Sequence, residues 1–443
     1  MTKKQLPSLL ILSLIAGLVY LTPFLRFSFY DQMKEALQIS DLQMGSIGFI
    51  YGLFNVLGYI PTGFIAEKFS TKKMLILSCL GMAVTTIWYS TFPDFWCIMV
   101  IHALYGVFSV WTFWSPYLKA IRSLASDQQQ STIYGLSEGI RGVGQTIVSF
   151  LCLAALGSMV TASLGFRIVL WINIAVFILL MCLTIFLIPD LDHKKSKKRI
   201  KKAENFSRSG DNSYSSAGNN PTTLETLKEF PKLLKYPGTW ICIAVIMCAY
   251  CLWNTINGYL GTYTTRVLSI PTSLSSTLSI IRSYLIVFIA GFTGGFMLDK
   301  FRLRGKGLLL FFLCAAACSI GLCFFVPFVA LSVLLTLVLA YVINVLKATY
   351  WSILGDAGIP REKTGAATGV ISLIALTPDF FTSPIISRFI TYGEQHGNAV
   401  FGFRLMFVWI LVWSAAGVIG CWALCLHSES LRVKAAVRTA AEK

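Results

Sequence analysis

The chain alternates between long apolar runs and short polar breaks from one end to the other. A helix needs about 20 apolar residues to cross a bilayer core of ~30 Å, and the runs have this length. Several runs contain Gly or Pro, which lipid-embedded helices tolerate. The pattern therefore predicts twelve membrane-spanning helices, which we number as spans 1 to 12. Their predicted bounds are 7–30, 44–66, 73–92, 95–117, 132–156, 165–189, 238–264, 274–298, 307–325, 327–350, 364–390 and 399–426.

One long polar break divides six predicted spans from the other six. It contains the basic run Lys194–Lys202 and then the polar, aperiodic segment Ser207–Asn220. This composition is typical of a disordered linker. The predicted organisation is an N-terminal six-helix bundle, a basic cytoplasmic linker, a C-terminal six-helix bundle and a cytoplasmic tail. These units cover 1–189, 190–237, 238–426 and 427–443.

Composition excludes a soluble protein. Hydrophobic residues make up 56% and charged residues only 13%, whereas soluble domains carry about 25% charged residues. The net charge is +17, but most basic residues lie in the even-numbered breaks and both tails. This asymmetry predicts a multi-pass protein of the plasma or inner membrane with both termini cytoplasmic. The basic linker favours anionic lipid headgroups over nucleic acid.

Cysteine placement predicts no metal site, no cofactor and no disulfide framework. All twelve cysteines lie in apolar stretches. Cys248 and Cys251 form a CxxC, but no His or second pair stands at metal-ligand spacing. The chain also lacks the HExxH, GxSxG and P-loop motifs. The sequence therefore predicts a protein that is not an enzyme.

The two halves of the chain contain the same short motifs in the same order. Gly63–Lys73 (GFIAEKFSTKK) follows span 2, and Gly295–Arg304 (GFMLDKFRLR) follows span 8. Thr112–Ser115 (TFWS) lies in span 4, and Thr349–Ser352 (TYWS) lies in span 10. Two matches at nearly the same offset indicate a duplicated six-helix unit.

The loop motif and its copy resemble the best-known signature of the major facilitator superfamily, and the resemblance covers the whole chain. Ser70 replaces the second Gly of that signature, and His102 replaces the Arg of the family's span-4 motif. The resemblance implies two pseudo-symmetric six-helix bundles, a central cavity and alternating access. It also implies a gating role for the loop residues Gly63, Glu67, Lys68, Gly295, Asp299 and Lys300.

A simple physical role fits that loop motif. Glycine lets two helices approach closely, and the neighbouring carboxylate of Glu67 or Asp299 can then cap a helix or pair with a base across the bundle interface. Such a contact would exist only while the cytoplasmic side is closed. The alternative is an ordinary solvated turn between helices.

Charged residues inside the predicted spans are functional candidates, since each costs ~2.5–3.5 kcal/mol at mid-bilayer. Glu138 and Arg141 are three residues apart and are expected to pair, with Arg141 in a gating role. Asp379 follows a helix-breaking Pro378, and desolvation favours its neutral form. We predict that Asp379 carries a proton, with Glu138 as the second candidate. The alternative is that Lys347 or Arg282 keeps Asp379 ionised.

The remaining embedded cations and a set of aromatic and amide residues predict a binding site for a polar solute. Surplus positive charge favours an anion, because guanidinium binds carboxylate or phosphate bidentately. Amides and aromatics suit a sugar ring or a small organic acid. The predicted substrate-binding residues are Arg26, Trp111, Trp114, Tyr250, Asn254, Asn257, Arg282, Asn344, Lys347 and Trp351.

The sequence therefore predicts a monomeric secondary active transporter that is proton-coupled and moves a small polar, anionic or sugar-like solute. An exchanger of organophosphates or organic anions is one alternative, since Arg26 resembles an Arg of the organophosphate:phosphate antiporters. That group has a second Arg in span 7, where this chain has Gly258. A multidrug efflux protein and a non-transporting sensor on the same scaffold also stay open as hypotheses.

Overall fold

The structure is a computed structural model that describes residues 6–59, 61–124, 130–188, 233–359 and 364–441. Every regular element within these ranges is a helix, which confirms the predicted all-α fold. The first six spans are Leu6–Leu21 with Leu25–Leu37, Asp41–Gly58 with Pro61–Lys68, Thr71–Ser90, Phe95–Gly106 with Val107–Trp111 and Trp114–Ser123, Gln130–Ser158, and Ala162–Leu187. The last six are Pro237–Arg266, Thr272–Ile280 with Ile281–Leu285 and Ile286–Asp299, Arg304–Phe324, Val329–Thr349 with Tyr350–Leu354, Thr364–Ala375 with Pro378–Gln395, and Ala399–Ala441.

Eleven helical stretches of the described chain are long and apolar enough to cross a membrane. The remaining span is span 2, which is less apolar because Asp41, Gln43, Asn55 and four glycines lie within its first helix. Exposed large hydrophobic side chains cover the outside of the helices, as expected where lipid is the solvent. The predicted linker 190–237 falls mostly outside the described residues, and its role stays a prediction.

Several spans are interrupted where the sequence removes or redirects backbone hydrogen bonds. Span 1 breaks around Pro23, and span 11 breaks between Ala375 and Pro378, because proline has no N–H to continue the helix. The two copies of the repeated Trp motif also lie at irregularities. Thr112–Ser115 follows a π-helical turn, and Thr349–Ser352 leads into a 3₁₀ turn. The repeat is therefore present in the structure as well as in the sequence.

Spans 1–6, the N half, meet spans 7–12, the C half, most closely where span 2 packs on span 11. Gly45, Gly48 and Gly52 form one stripe of span 2. A Cβ atom at Gly52 would overlap the backbone of Asp379, and one at Gly48 would overlap the side chain of Ser383. Glycine thus allows a helix-to-helix approach that no larger residue permits.

The two membrane sides can be named from the chain itself. We call the side on which span 1 begins the near side and the opposite one the far side. The stripe begins at the far-side start of span 2 and runs towards the middle of the membrane. Packing between spans 2 and 11 therefore joins the two halves over the far half of the protein.

Replacing Gly52 by Val should lower the melting temperature of the detergent-solubilised protein. The added side chain forces span 2 away from span 11, and overpacking of this kind costs about 1–3 kcal/mol. Gly291→Val is the matched control, because a Cβ atom there meets nothing within 4 Å. Equal melting temperatures for the two variants would contradict the close packing of spans 2 and 11.

Candidate functional site

A buried carboxylate, that of Asp379, lies where the two halves meet. It is 2% exposed and sits in the first turn of the second helix of span 11. Its Oδ1 accepts hydrogen bonds from the Tyr250 hydroxyl and the Asn254 amide of span 7, both at 2.8 Å. Its Oδ2 accepts one from the Asn55 amide of span 2 at 2.9 Å. The carboxylate is therefore held by donors from both halves.

Aromatic rings form a wall beside this carboxylate. Tyr250 stacks on Trp253 at 5.5 Å between ring centres, and Phe24 and Phe27 of span 1 meet the same indole edge-on. The ammonium of Lys347 lies 3.4 Å from the centre of the Trp253 ring. This cation–π contact keeps the half-buried Lys347 at the site rather than at a membrane surface.

The guanidinium of Arg26 reaches the interface from the N half. Its Cζ lies 4.9 Å from the centre of the Phe27 ring. It passes between Gly48 of span 2 and Gly258 of span 7, since a Cβ atom at either glycine would lie within 3.5 Å of it. Arg26 is 2% exposed, and its Nη1 has no hydrogen-bond partner in the described protein.

Several other buried polar atoms near Asp379 and Arg26 also lack hydrogen-bond partners within the described chain. They are Asn55 Oδ1, Asn254 Oδ1, Trp253 Nε1 and Ser383 Oγ. Buried polar groups without partners are unusual because each costs free energy, and a bound molecule or water commonly satisfies them. Together with Arg26, these atoms offer both donors and acceptors to a polar solute.

The predicted pair in span 5 also forms. Arg141 Nη1 donates to Glu138 Oε1 at 3.2 Å, and the Arg141 guanidinium lies over the Tyr20 ring at 5.3 Å. Trp114 contacts the same tyrosine edge-on at 6.4 Å. These side chains lie on the near side of Asp379, where the Glu138 side chain is 59% exposed.

Further predicted binding residues lie within one half and have partners there. Arg282 donates to Thr336 at 3.2 Å and to Ser279 at 2.9 Å, so it lies between spans 8 and 10 of the C half. The remaining members of this group donate to backbone carbonyls or pack on a ring of their own half. Trp111 donates to Phe54, Asn257 to Trp253 and Asn344 to Ala340 and Arg282, while Trp351 packs on Tyr350. The partners of Arg282 favour a structural role for it, whereas the part of the other four in binding stays a prediction.

A charge cluster at the far side is not predicted by the sequence pattern. Arg266, at the end of span 7, donates from Nη1 and Nη2 to both oxygens of Asp41, at 3.1 and 3.0 Å. Its Nη2 also contacts Asp31 at 2.8 Å, and its Nη1 contacts Glu394 at 2.6 Å. Asp31 and Asp41 belong to the N half, so the cluster ties the far ends of the two halves together.

Local structure places these charges. Ser40 begins span 2 with a capping box in which its hydroxyl accepts from the Gln43 N–H, while the Gln43 side chain accepts from the Ser40 N–H. Asp41 is therefore fixed in the first turn, where it also accepts from Tyr30 and Lys34. The only sequence signal was the position of these charges at span edges, which does not reveal their partners.

The near-side gating candidates Lys68, Asp299 and Lys300 are exposed. Asp299 is 70% exposed and reaches only Arg304 of the same half, at 3.7 Å, among the described residues. Lys68 and Lys300 are exposed, and a Cβ atom at Gly295 would meet nothing within 4 Å. The close helix contact expected at Gly295 is therefore absent from this conformation of the described chain. The surroundings of Gly63 and of the Glu67 side chain lie outside what the structure describes.

Comparison with known proteins agrees with this architecture. The family model of the Major Facilitator Superfamily matches residues 12–377. The chain belongs to this superfamily. It is therefore a multi-pass integral membrane protein of a family of transporters, which bind small molecules within the membrane and are not enzymes.

Curated relatives and solved structures cover nearly the whole chain. Inner membrane protein YihN of Escherichia coli is 22% identical and inner membrane protein YqcE of the same organism 23%, over 96% and 98% of this chain and 94% and 98% of theirs. The inward-facing, unoccupied structure of a bacterial homolog of the human lysosomal transporter Spinster aligns with a TM-score of 0.71 at 14% identity, over 97% and 98% of the two chains. The D-xylose-proton symporter aligns at 0.68 and 15%, over 94% and 96%.

Removing the Arg266 charge should loosen the far side. In Arg266→Gln the carboxylates of Asp31 and Asp41 lose their shared partner, and the loss of a charge-assisted bond corresponds to about a tenfold shift in an opening equilibrium. Hydrogen–deuterium exchange should rise by about this factor in residues 25–37, 41–58 and 383–395.

Arg404→Gln is the matched control for this measurement. Arg404 also lies at the far side, but it donates to the Cys323 carbonyl within the C half, at 3.2 Å. Its removal should leave exchange between the halves unchanged. Similar exchange in both variants would contradict the role of Arg266 as a link between the halves.

Proposed function

We propose that the protein is a secondary active transporter that moves a small polar, anionic or sugar-like organic solute, driven by protons. The observation that carries this proposal is the buried Asp379, which is hydrogen-bonded from both halves at the point where they meet. An embedded carboxylate is costly and can take up and release a proton as its surroundings change. This position allows a proton to couple to movement of the halves.

Alternating access is the mechanism that this arrangement supports. The Lys and Arg distribution places both termini in the cytoplasm, so the near side is cytoplasmic and the far side faces out. Arg266 links the halves on the far side, whereas Glu138 and Asp299 are exposed on the near side. This arrangement corresponds to an inward-facing state, and rocking of the halves would break the far-side links and close the near side.

The chemistry at the centre supports a polar solute. Arg26 Nη1 and the partly buried Lys347 supply positive charge, while Asn55, Asn254 and Trp253 offer atoms without partners. The structurally similar D-xylose-proton symporter and nucleoside transporter NupG are named for D-xylose and for nucleosides. A sugar, a sugar acid or a small organic anion fits both the charge and the aromatic wall.

Exchange of organic anions without protons is the second candidate, and the unpartnered Arg26 Nη1 favours it. It differs from the main proposal in needing no titratable carboxylate. Efflux of lipophilic drugs is disfavoured by the number of amide and cationic groups at the centre. A sensor on this scaffold would accumulate no solute in proteoliposomes. We further propose that the protein works as a monomer in the inner membrane.

Removing the titratable group should separate exchange from accumulation. In Asp379→Asn the amide mimics the protonated acid, so exchange of solute should survive while accumulation driven by a pH gradient is lost. The measurement is uptake into proteoliposomes, using a solute identified by thermal-shift screening of sugars, sugar acids and phosphates. Glu138→Gln is the control, because its carboxylate is largely exposed. Normal gradient-driven uptake in Asp379→Asn would exclude the proton-coupled mechanism.

Removing the Arg26 charge should abolish solute binding. Arg26→Gln keeps a polar side chain but loses the cation, so the rise in melting temperature caused by an anionic or sugar-like solute should disappear. Arg282→Gln should lower the starting melting temperature, since Arg282 is bonded to Thr336 and Ser279, yet keep the solute-induced rise. The opposite pattern would place the binding site between spans 8 and 10.

A further inference from the structure

The residues that donate hydrogen bonds to Asp379 fall into two groups, which would move differently when the halves rock. Tyr250 and Asn254 belong to the C half, as Asp379 does, so they stay with the carboxylate when the halves rock. Asn55 belongs to the N half and is the one described residue of that half that donates to the carboxylate. Its bond crosses the interface that alternating access must open.

Asn55 continues the glycine stripe of span 2. Gly45, Gly48, Gly52 and Asn55 are spaced three, four and three residues apart, so they share one helical face towards span 11. Asn55 is the residue of this face that lies deepest in the membrane from the far side. Separation of span 2 from span 11 therefore withdraws the Asn55 amide together with the glycines.

Charged and titratable groups around Asp379 come from both halves. Arg26 of span 1 and Lys347 of span 10 act on the carboxylate electrostatically, and neither makes a hydrogen bond to it among the described contacts. Tyr20, Tyr51 and Tyr59 of the N half and Tyr350 of the C half also interact with it electrostatically, and Tyr250 of the C half donates to it. Arg26 and Asn55 each favour the ionised carboxylate. Withdrawal of Arg26 with the N half therefore acts in the same direction as withdrawal of Asn55.

We infer that Asn55 is a positioning residue that makes the proton occupancy of Asp379 depend on conformation. This inference rests on the proposed function. With the far side closed, three donors stabilise the carboxylate, so the proton is released towards the near side. With the far side open, Asn55 has left, and the carboxylate binds a proton from the far side. Because the far side faces out in the proposed topology, this order couples inward proton movement to uptake of solute.

The inference can be tested without the solute, by titrating Asp379 directly. Infrared spectroscopy of the protein in liposomes follows the carbonyl band of the protonated acid, identified by its loss in Asp379→Asn. Asn55→Leu should raise the midpoint of this titration by about one pH unit, since one charge-assisted bond to the ionised form is lost. Asn254→Leu, the matched control in the C half, should raise it too.

The two variants should differ once the far side is opened. In an Arg266→Gln background, Asn55→Leu should add almost no further shift, because the bond is already parted, whereas Asn254→Leu should still raise the midpoint. An unchanged midpoint in Asn55→Leu, or equal rises in the closed protein and in a background whose open far side is confirmed by hydrogen–deuterium exchange, would overturn the inference. Gly52→Val supplies a second open background if Arg266→Gln leaves the far side closed, and Asn55→Ala replaces a leucine variant that does not fold.

Failure of this inference and failure of the proposed function are distinguishable. Normal gradient-driven accumulation in Asp379→Asn would remove proton coupling altogether, whatever the titration shows. Loss of accumulation in Asp379→Asn together with equal midpoint shifts in both backgrounds would keep the proton-coupled transporter and remove only the role of Asn55.

Discussion

A carboxylate can remain buried in a membrane protein only if hydrogen-bond donors replace the water that it has lost. Much of the centre of this protein follows from that constraint on Asp379. The Pro378 break places the carboxylate at a helix start, and span 7 supplies Tyr250 and Asn254 one turn apart. The glycines of span 2 bring Asn55 close enough to complete the set.

The same constraint explains why the site joins the halves instead of belonging to one of them. A carboxylate satisfied entirely within the C half would have no physical reason to respond when the N half moves. Here its donors and the nearby Arg26 are divided between the halves. In the proposed mechanism, movement of the halves would therefore change the hydrogen bonding and the Coulomb attraction at the carboxylate.

The far and near sides are stabilised by different forces. On the far side, close backbone packing through glycine is combined with the bidentate contact between Arg266 and Asp41, which is geometrically specific. On the near side, Asp299 is exposed and, among the described residues, pairs only within its own half. An alternating carrier needs two states of similar free energy, so links that form at one side must be able to part.

The helices, their number, the duplicated unit and the choice of Asp379, Tyr250 and Asn254 as candidate site residues could be predicted from the chain's residue pattern. This was possible because a lipid-embedded backbone must satisfy its own hydrogen bonds, and because an embedded charge is rare enough to stand out. Which side chains meet across long sequence separations depends on the tertiary fold. Asn55 donates to Asp379, and Arg266 donates to Asp41, across the two halves. Arg282 instead donates to hydroxyl groups within its own half. Such partners depend on helix rotation and packing, which local sequence pattern does not specify.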